Sequence, residues 1–263
     1  LLVRTTRRVV ATDAGLAFYA RCTAILRDCE DAFEELEHTA STPRGHIRIT
    51  APYDYGEAII APVAAAFTRQ HPDCSVTLLV SDKILDPVAE RIDLSVRVGW
   101  LDDSSLQTRS LGSFRELLVC GSDFATTIPR LDDPAALEAL PWVVNATHKD
   151  PRQHVFRRDS DGERREVRIR SAIMIDSAPA VLQAVVAGGG FAVLPDFLVA
   201  EHIVAGRLHH ALPEWALRTG GIHAVLPPAR FRPAKVKAFI ELLMQAERAR
   251  AKVSTYQPAA SSR

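Results

Sequence analysis

The side chains that could do chemistry are scattered along the chain. Gly188-Gly189-Gly190 has the composition of a phosphate loop, but no Lys-Ser/Thr follows it. It also comes after a predicted helix rather than before one, so it reads as a helix stop and tight turn. His209 and His210 are adjacent on a predicted strand, so they face opposite sides and cannot hold one metal ion together. Asp102-Asp103 and Asp132-Asp133 are neighbouring carboxylates in predicted loops, which suits turns and helix caps better than an acid and a base. There is no G-x-S-x-G elbow. Cys22, Cys29, Cys74 and Cys120 form no C-x-x-C pair and have no His at zinc spacing, which points to free thiols in a reducing cytosol. No constellation supports a reaction class, and neither a metal nor a cofactor is expected.

Binding chemistry is better represented. Ile49 leads out of a strand to Asp54, with Glu57 three residues on at capping-box spacing, and a helix is predicted from about Gly56 to Arg69. Ile173 likewise leads to Ser177 and a helix over about Ala178–Ala187. Free N–H groups at helix N-termini attract carboxylates and other anions. Ligands of open α/β sheets sit at the carboxyl ends of the strands. Two such units placed face to face would make a two-lobed trap for a small molecule. Tyr53 and Tyr55 hint at a planar or aromatic one.

The elements that must position these residues follow a clear order. Arg4, Arg7 and Arg8 crowd together in the first twelve residues, which read either as a strand–turn–strand, favoured by Val9, Val10 and Thr12, or as a frayed basic terminus. Thr12 or Asp13 can cap a long helix over about 14–40, which no Pro interrupts beyond Leu16. Phe18, Cys22, Ile25, Cys29, Ala32 and Leu36 recur on it at heptad a/d spacing. Such a stripe needs a partner, either this chain's own core or a second copy; the helix length and the linker Thr39–Gly45 favour self-association. Beyond the linker, strands at His46–Ala51, Ser75–Val80 and Leu94–Val98 alternate with helices, the second a short one over Asp86–Arg91, which predicts a parallel sheet. Residues 106–120 read as strands of mixed direction. A second α/β unit follows, with strands at Trp142–Asn145, Val167–Ile175 and Phe191–Pro195 and a helix over Asp196–Val204. The amphipathic helix Pro233–Ala251 closes the fold, ahead of a tail at 253–263 that reads as disordered.

Composition bounds the function. The 263 residues are 47% hydrophobic and 24% charged, ordinary for one or two globular domains. Lys+Arg and Asp+Glu are balanced at 32 each, so any nucleic-acid contact must come from a local patch. No apolar run approaches about 18 residues, and no export-signal pattern is present, so neither a membrane span nor secretion is expected. The chain begins at Leu1 inside a basic segment, which reads as a sequence whose upstream residues precede it.

Several blocks now resemble one family, the LysR-type transcriptional regulators. Arg4-Thr5-Thr6-Arg7-Arg8-Val9 followed by Thr12-Asp13-Ala14-Gly15 is similar to that family's wing and the start of its linker helix. Pro43-Arg44-Gly45-His46-Ile47-Arg48-Ile49 resembles the entry to its regulatory module, and Ala187–Pro195 resembles its Ala-Gly-x-Gly-[IF]-Ala-x-Leu-Pro block. Val88–Leu94 with Arg97-Val98-Gly99, Gly206-Arg207-Leu208 with Leu212–Trp215, and Pro233–Ile240 resemble further blocks in order. The likeness spans all but the tail.

The resemblance implies an α/β fold with two Rossmann-like subdomains of the periplasmic-binding-protein type II kind. A long linker helix and the remnant of a winged helix-turn-helix would precede them. It divides the chain into a wing remnant (1–13), a dimerisation helix (14–42), subdomain I (43–119 plus 225–252) and subdomain II (120–224). It implies chain crossovers near Val119–Gly121 and Gly221–Leu226. An effector cleft would lie between Tyr53, Asp54, Tyr55, Ser81, Asp82 and Trp100 on one lobe and Asn145, Thr147, Asp176 and Ser177 on the other. Arg4, Thr5, Thr6, Arg7 and Arg8 would touch promoter DNA, positioning the protein without reading sequence. The implied partners are that DNA, a small organic effector, a second copy or three, and RNA polymerase, all in the cytoplasm. A two-lobed periplasmic-type solute-binding protein is the competing reading, and the heptad helix weighs against it.

Overall fold

The computed structural model describes residues 1–4, 9–37, 42–83, 85–87, 89–100, 108–128, 131–148, 150–227 and 232–254; for residues 3, 4, 9, 30–37, 253 and 254 it describes the backbone alone. The two N-terminal strands form: β1 (Leu2–Arg4) pairs antiparallel with β2 (Val9–Ala11), and residues 5–8 between them lie outside the described residues. The long helix α1 spans Asp13–Glu37. Thr12 caps it, its Oγ1 accepting the N–H of Gly15 at 3.0 Å, which satisfies one of the donors a first turn leaves open. Along the heptad seam Phe18 is 55% and Ile25 60% exposed. Cys22 is half-buried and Cys29 exposed, both as free thiols. Ala32 and Leu36 lie on the helix, but their side chains fall outside those described. The described part of this stripe therefore does not rest on the chain's own core.

Lobe I is built on β3 (Gly45–Ala51). One helical run follows it, made of α2 (Tyr53–Tyr55), a π turn (Gly56–Ile60) and α3 (Ala61–Gln70). Strands β4 (Cys74–Val80) and β5 (Leu94–Gly99) flank β3, both parallel to it. The helical run starts at Tyr53, ahead of the predicted Gly56. Its π turn has a local cause: Pro62 has no N–H for the carbonyl four residues back, and the Ala61 N–H bonds to Gly56 O in the wider i→i+5 ring. Among the described residues of Asp86–Arg91 the predicted helix does not form. The described residues there form a turn in which Glu90 N–H bonds to Asp86 O at 3.1 Å and Arg91 takes φ 49°, a left-handed value no helix can propagate.

Of residues 106–120, expected as strands of mixed direction, the described ones, from 108 on, belong to one 14-residue strand, β6 (Thr108–Gly121). Lobe II continues through α4 (Ser122–Ala125), a 3-10 turn (Pro134–Ala139), β7 (Val143–Asn145), β8 (Gln153–Arg158), β9 (Arg164–Arg168), β10 (Ile173–Ile175), α5 (Ala178–Val186), β11 (Phe191–Pro195), α6 (Asp196–Val204), β12 (Leu208–His210) and β13 (Trp215–Ala216). The strand predicted over Val167–Ile175 is split in two. Its first part pairs antiparallel with β8 and its second parallel with β7, and one unbroken strand cannot serve both directions. Gly190 holds the approach to β11: it takes φ 122°, and a Cβ there would stand 2.3 Å from Pro141 O. The return strand β14 (Thr219–Val225) leads back to lobe I, where α7 (Ala234–Ser254) closes the fold. Because α7 runs through Ser254, the expected tail begins later than 253; residues 255–263 lie outside the described residues.

Strand β6 belongs to both lobes. It pairs with β14 from Thr108 to Arg115, then with β11 from Glu116 to Cys120. The partner switch thus falls at Arg115/Glu116 and opposite Thr219, a little before the expected positions on both strands. The main sheet runs β11-β6-β14-β5-β3-β4, with β12 also on β6. Beyond the switch the period-2 alternation of a strand sends Leu118 and Cys120 into one lobe II core, with Trp142, Phe156 and Phe191, and Val119 into another, with Val181 and Leu194. The lobe I core gathers Ile47, Ile49, Phe67, Leu94, Phe239 and Leu243. No described helix is long and apolar enough to cross a membrane.

Candidate functional site

Parallel strands end side by side. In lobe I the carboxyl ends of β3, β4 and β5 bring Tyr53-Asp54, Ser81-Asp82 and Trp100 to one rim. In lobe II the paired ends of β7 and β10 do the same for Asn145–His148 and Asp176-Ser177. The short α2 packs against α5 and α6, so the two rims meet. This is the face-to-face arrangement of two strand-to-helix turns that the sequence anticipated.

The lobe I rim is tightly bonded. The Tyr53 N–H donates to Asp82 Oδ1 at 3.2 Å, so the helix is capped from the bend just past β4 rather than by an Asp54–Glu57 box. Asp54 Oδ1 instead accepts the N–H of Tyr55 at 2.7 Å. Burial, reinforced by the Asp82 charge, pushes the Asp54 carboxyl up to about 6. Ser81 Oγ accepts the Lys83 N–H at 3.1 Å. Tyr53 is 49% exposed and Trp100 44% exposed. Trp100 is nonetheless anchored: its indole N–H donates to Thr219 O at 2.8 Å, and the Arg218 guanidinium lies 4.1 Å over its ring. Tyr55 departs from expectation. It is fully buried, its hydroxyl donates to Glu247 Oε1 at 2.8 Å, and its ring meets Phe197 edge-on at 5.3 Å. An aromatic two residues beyond Tyr53 turns inward once the helix starts at Tyr53, so Tyr55 supports the rim from the core rather than lining it.

On lobe II, Asn145 is buried and its Oδ1 accepts both the N–H and the hydroxyl of Thr147, at 3.1 and 2.9 Å. Ser177 stands at the N-cap of α5, yet its side chain makes no cap hydrogen bond. Asp176 is exposed.

Sequence reading missed a cluster at the partner switch. Glu116 is buried, and burial pushes its carboxyl up to about 7 against the opposing pull of Arg218. His148 Nδ1 sits 3.7 Å from Glu116 Oε1, and burial followed by the Arg218 charge holds this imidazole below its usual value. His154 stacks on Trp142 with 5.4 Å between ring centroids; burial and then His148 push it down to about 4. The one sequence signal was Glu116 itself, a lone acid leading into the apolar run Leu117–Cys120. His148 and Arg218 lie in loops and carry no pattern.

Arg4 lies on β1, with only its backbone described, and Thr5, Thr6, Arg7 and Arg8 fall outside the described residues. His209 and His210 sit on successive positions of β12, one exposed and one half-buried. Among the described residues no three His, Cys, Asp or Glu converge as metal ligands would. A cavity of about 1200 Å³ opens on lobe II, lined by Glu138, Asp150, Arg152, Arg168, Arg170 and Met174 among others.

Comparisons with known proteins agree with this arrangement. Residues 40–248 match the family model of the LysR substrate binding domain. The chain is 38% identical over 245 residues to the HTH-type transcriptional regulator PtxR of Pseudomonas aeruginosa, covering 93% of this chain and 78% of that one. It is 31% identical to an HTH-type transcriptional regulator of Haemophilus influenzae, covering 90% and 81%. Among solved structures, the full-length Vibrio cholerae virulence activator AphB, a member of the LTTR protein family, superposes with a TM-score of 0.68 at 25% identity, covering 94% of this chain and 84% of that one. CrgA of Neisseria meningitidis, at 23% identity and a TM-score of 0.68, shares the fold.

Proposed function

The chain belongs to the LysR-type transcriptional regulators and carries their substrate-binding domain, and from that premise we propose that its effector is captured at the meeting of the two rims described above. Tyr53, Asp54, Ser81, Asp82 and Trp100 contribute from lobe I, and Asn145, Thr147, Asp176 and Ser177 from lobe II. The observation that carries this reading is the packing of α2 on α5 and α6, which brings the parallel strand ends of the two lobes together, with the Ser177 hydroxyl left free of cap duty at the start of α5. Glu116, His148 and Arg218 form its floor at the strand switch. Ligand that prefers one lobe angle shifts the population toward it, and the strands β6 and β14 absorb the rotation.

The signal leaves through α1. Its exposed heptad stripe pairs with α1 of a second copy, giving a homodimer or homotetramer, and the DNA-contacting segment Arg4–Arg8 follows the movement. The partners are promoter DNA, the small organic effector and RNA polymerase, and the site of action is the cytoplasm. The names of the relatives favour this reading over a solute-binding protein or an enzyme. Calorimetric titration with a panel of small organic acids tests the cleft: a ligand whose heat of binding disappears in Ser177→Trp supports it, and a ligand that binds the variant unchanged places the site elsewhere. A gel-shift series against promoter DNA tests the arm: Arg7→Ala with Arg8→Ala weakens binding and flattens its salt dependence, and unchanged binding removes the arm from the account.

A further inference from the structure

Behind the cleft, three buried charged side chains meet where the lobes touch. Asp196 opens α6, and Glu247 and Arg250 lie one turn apart near the end of α7; their side chains are 6%, 2% and 13% exposed. Arg250 Nη1 bonds to Asp196 Oδ1 at 3.0 Å and Nη2 to Glu247 Oε2 at 2.7 Å, and Nη2 also donates to the Ser113 carbonyl of β6. Glu247 Oε1 in turn accepts the Tyr55 hydroxyl. Gly112 leaves room for this carboxylate: a Cβ there would stand 2.8 Å from Glu247 Oε2.

Helix α6, like β6, is shared by the two lobes. Its Phe197 is inserted in the lobe I core, between the rings of Tyr55 and Phe114 at 5.3 and 5.7 Å, whereas Val199 packs in a lobe II core. An apolar contact could hold this seam as well, because taking charges out of water offsets much of what their attraction returns. What ionic pairing adds is direction. The Glu247–Arg250 pair lies within one helix and survives any rotation of the lobes. The Arg250–Asp196 pair crosses from α7 to α6 and depends on the lobe angle, with Arg115 of β6 4.0 Å from the other Asp196 oxygen.

We propose that Arg250 and Glu247 are positioning residues for the cleft: Arg250 latches α7 to the first turn of α6, and Glu247 carries that latch through the Tyr55 hydroxyl to the turn bearing Tyr53 and Asp54. The proposal rests on the reading of that turn as part of the effector site. The geometry makes lobe angle and rim order one coupled variable. Loss of the crossing pair frees both α6 and the rim; loss of the Tyr55 hydroxyl frees the rim alone.

Hydrogen–deuterium exchange on the ligand-free chain tests this without knowledge of the effector. In Arg250→Met, amides of 53–60 and 196–199 are expected to exchange at least ~10-fold faster, while those of 47–51 and 153–158, inside the lobes, keep their rates. Arg250→Lys, which keeps the cation, retains most of the protection. Tyr55→Phe speeds 53–60 and leaves 196–199 unchanged. If Arg250→Met does not fold, Asp196→Asn is read by the same segments. A rise spread evenly over all four segments, or none in 53–60, overturns the proposal. Because no ligand is present, its failure would leave the titration test of the cleft untouched, and the converse holds too.

Discussion

Helices α1 and α7, of 25 and 21 residues, are the two long helices among the described residues. Both carry apolar residues at helical spacing. On α7 that stripe is buried: Val236, Phe239, Ile240 and Leu243 are each 3% exposed or less, and Phe239 meets Phe67 at 5.2 Å. On α1 the equivalent residues Phe18 and Ile25 stand in the open. An amphipathic stripe therefore specifies that a helix needs a partner, without saying whether the partner is the same chain. What separates the two is position: α7 follows a strand already in the lobe I sheet, whereas α1 lies ahead of the linker.

This contrast can be broken or sharpened by measurement. The largest effect is expected at Phe239→Ala, which leaves a cavity between α7 and α3 and should cost about 3–5 kcal/mol in urea unfolding, independent of protein concentration. A cost that grew on dilution would mean that α7, too, is held by a second copy. Next in size is Glu116→Gln, at the strand that α7 packs against. The folded pKa of about 7 lies above the usual 4.5, so wild-type stability present at pH 4.5 is lost as pH rises through 7. The variant cannot ionise, and relative to wild type it should gain up to about 3 kcal/mol between pH 4 and pH 9. Unfolding curves with the same pH dependence in both proteins would take this carboxyl out of the account.

Smaller again is Thr12→Ala. Loss of the cap should cost about 1 kcal/mol, read as fraying of α1 in far-UV circular dichroism with the lobes unchanged. Least in unfolding energy is Ile25→Glu: at low concentration the lobes should unfold as in wild type, within about 0.5 kcal/mol, while sedimentation shows a smaller oligomer. An oligomer of unchanged size would assign self-association to surfaces other than the heptad seam.

Much of this architecture is legible residue by residue. Thr12 announces α1, the alternation in His46–Ala51 gives β3, and Gly188-Gly189-Gly190 stops α5 before β11. The misreadings share a cause. The Asp54–Glu57 box failed because Asp82, in the bend just past β4, caps Tyr53 instead. The unity of β6 was hidden because its apolar pattern changes where its partner changes, from β14 to β11. In each instance a contact distant in sequence outcompeted a local preference worth about 1 kcal/mol.

The same division holds for the site. Sequence alone determined two α/β units, their parallel strands, and the long helix with an exposed apolar stripe, because periodicity is a property of neighbouring residues. Tertiary structure alone decided that Tyr55 serves the core, that Glu116, His148 and Arg218 meet at the switch, and that Arg250 reaches Asp196. The Tyr55 hydroxyl and its partner Glu247, for instance, stand 192 positions apart in sequence. Burial and charge act through distance in space, which spacing along a chain does not encode.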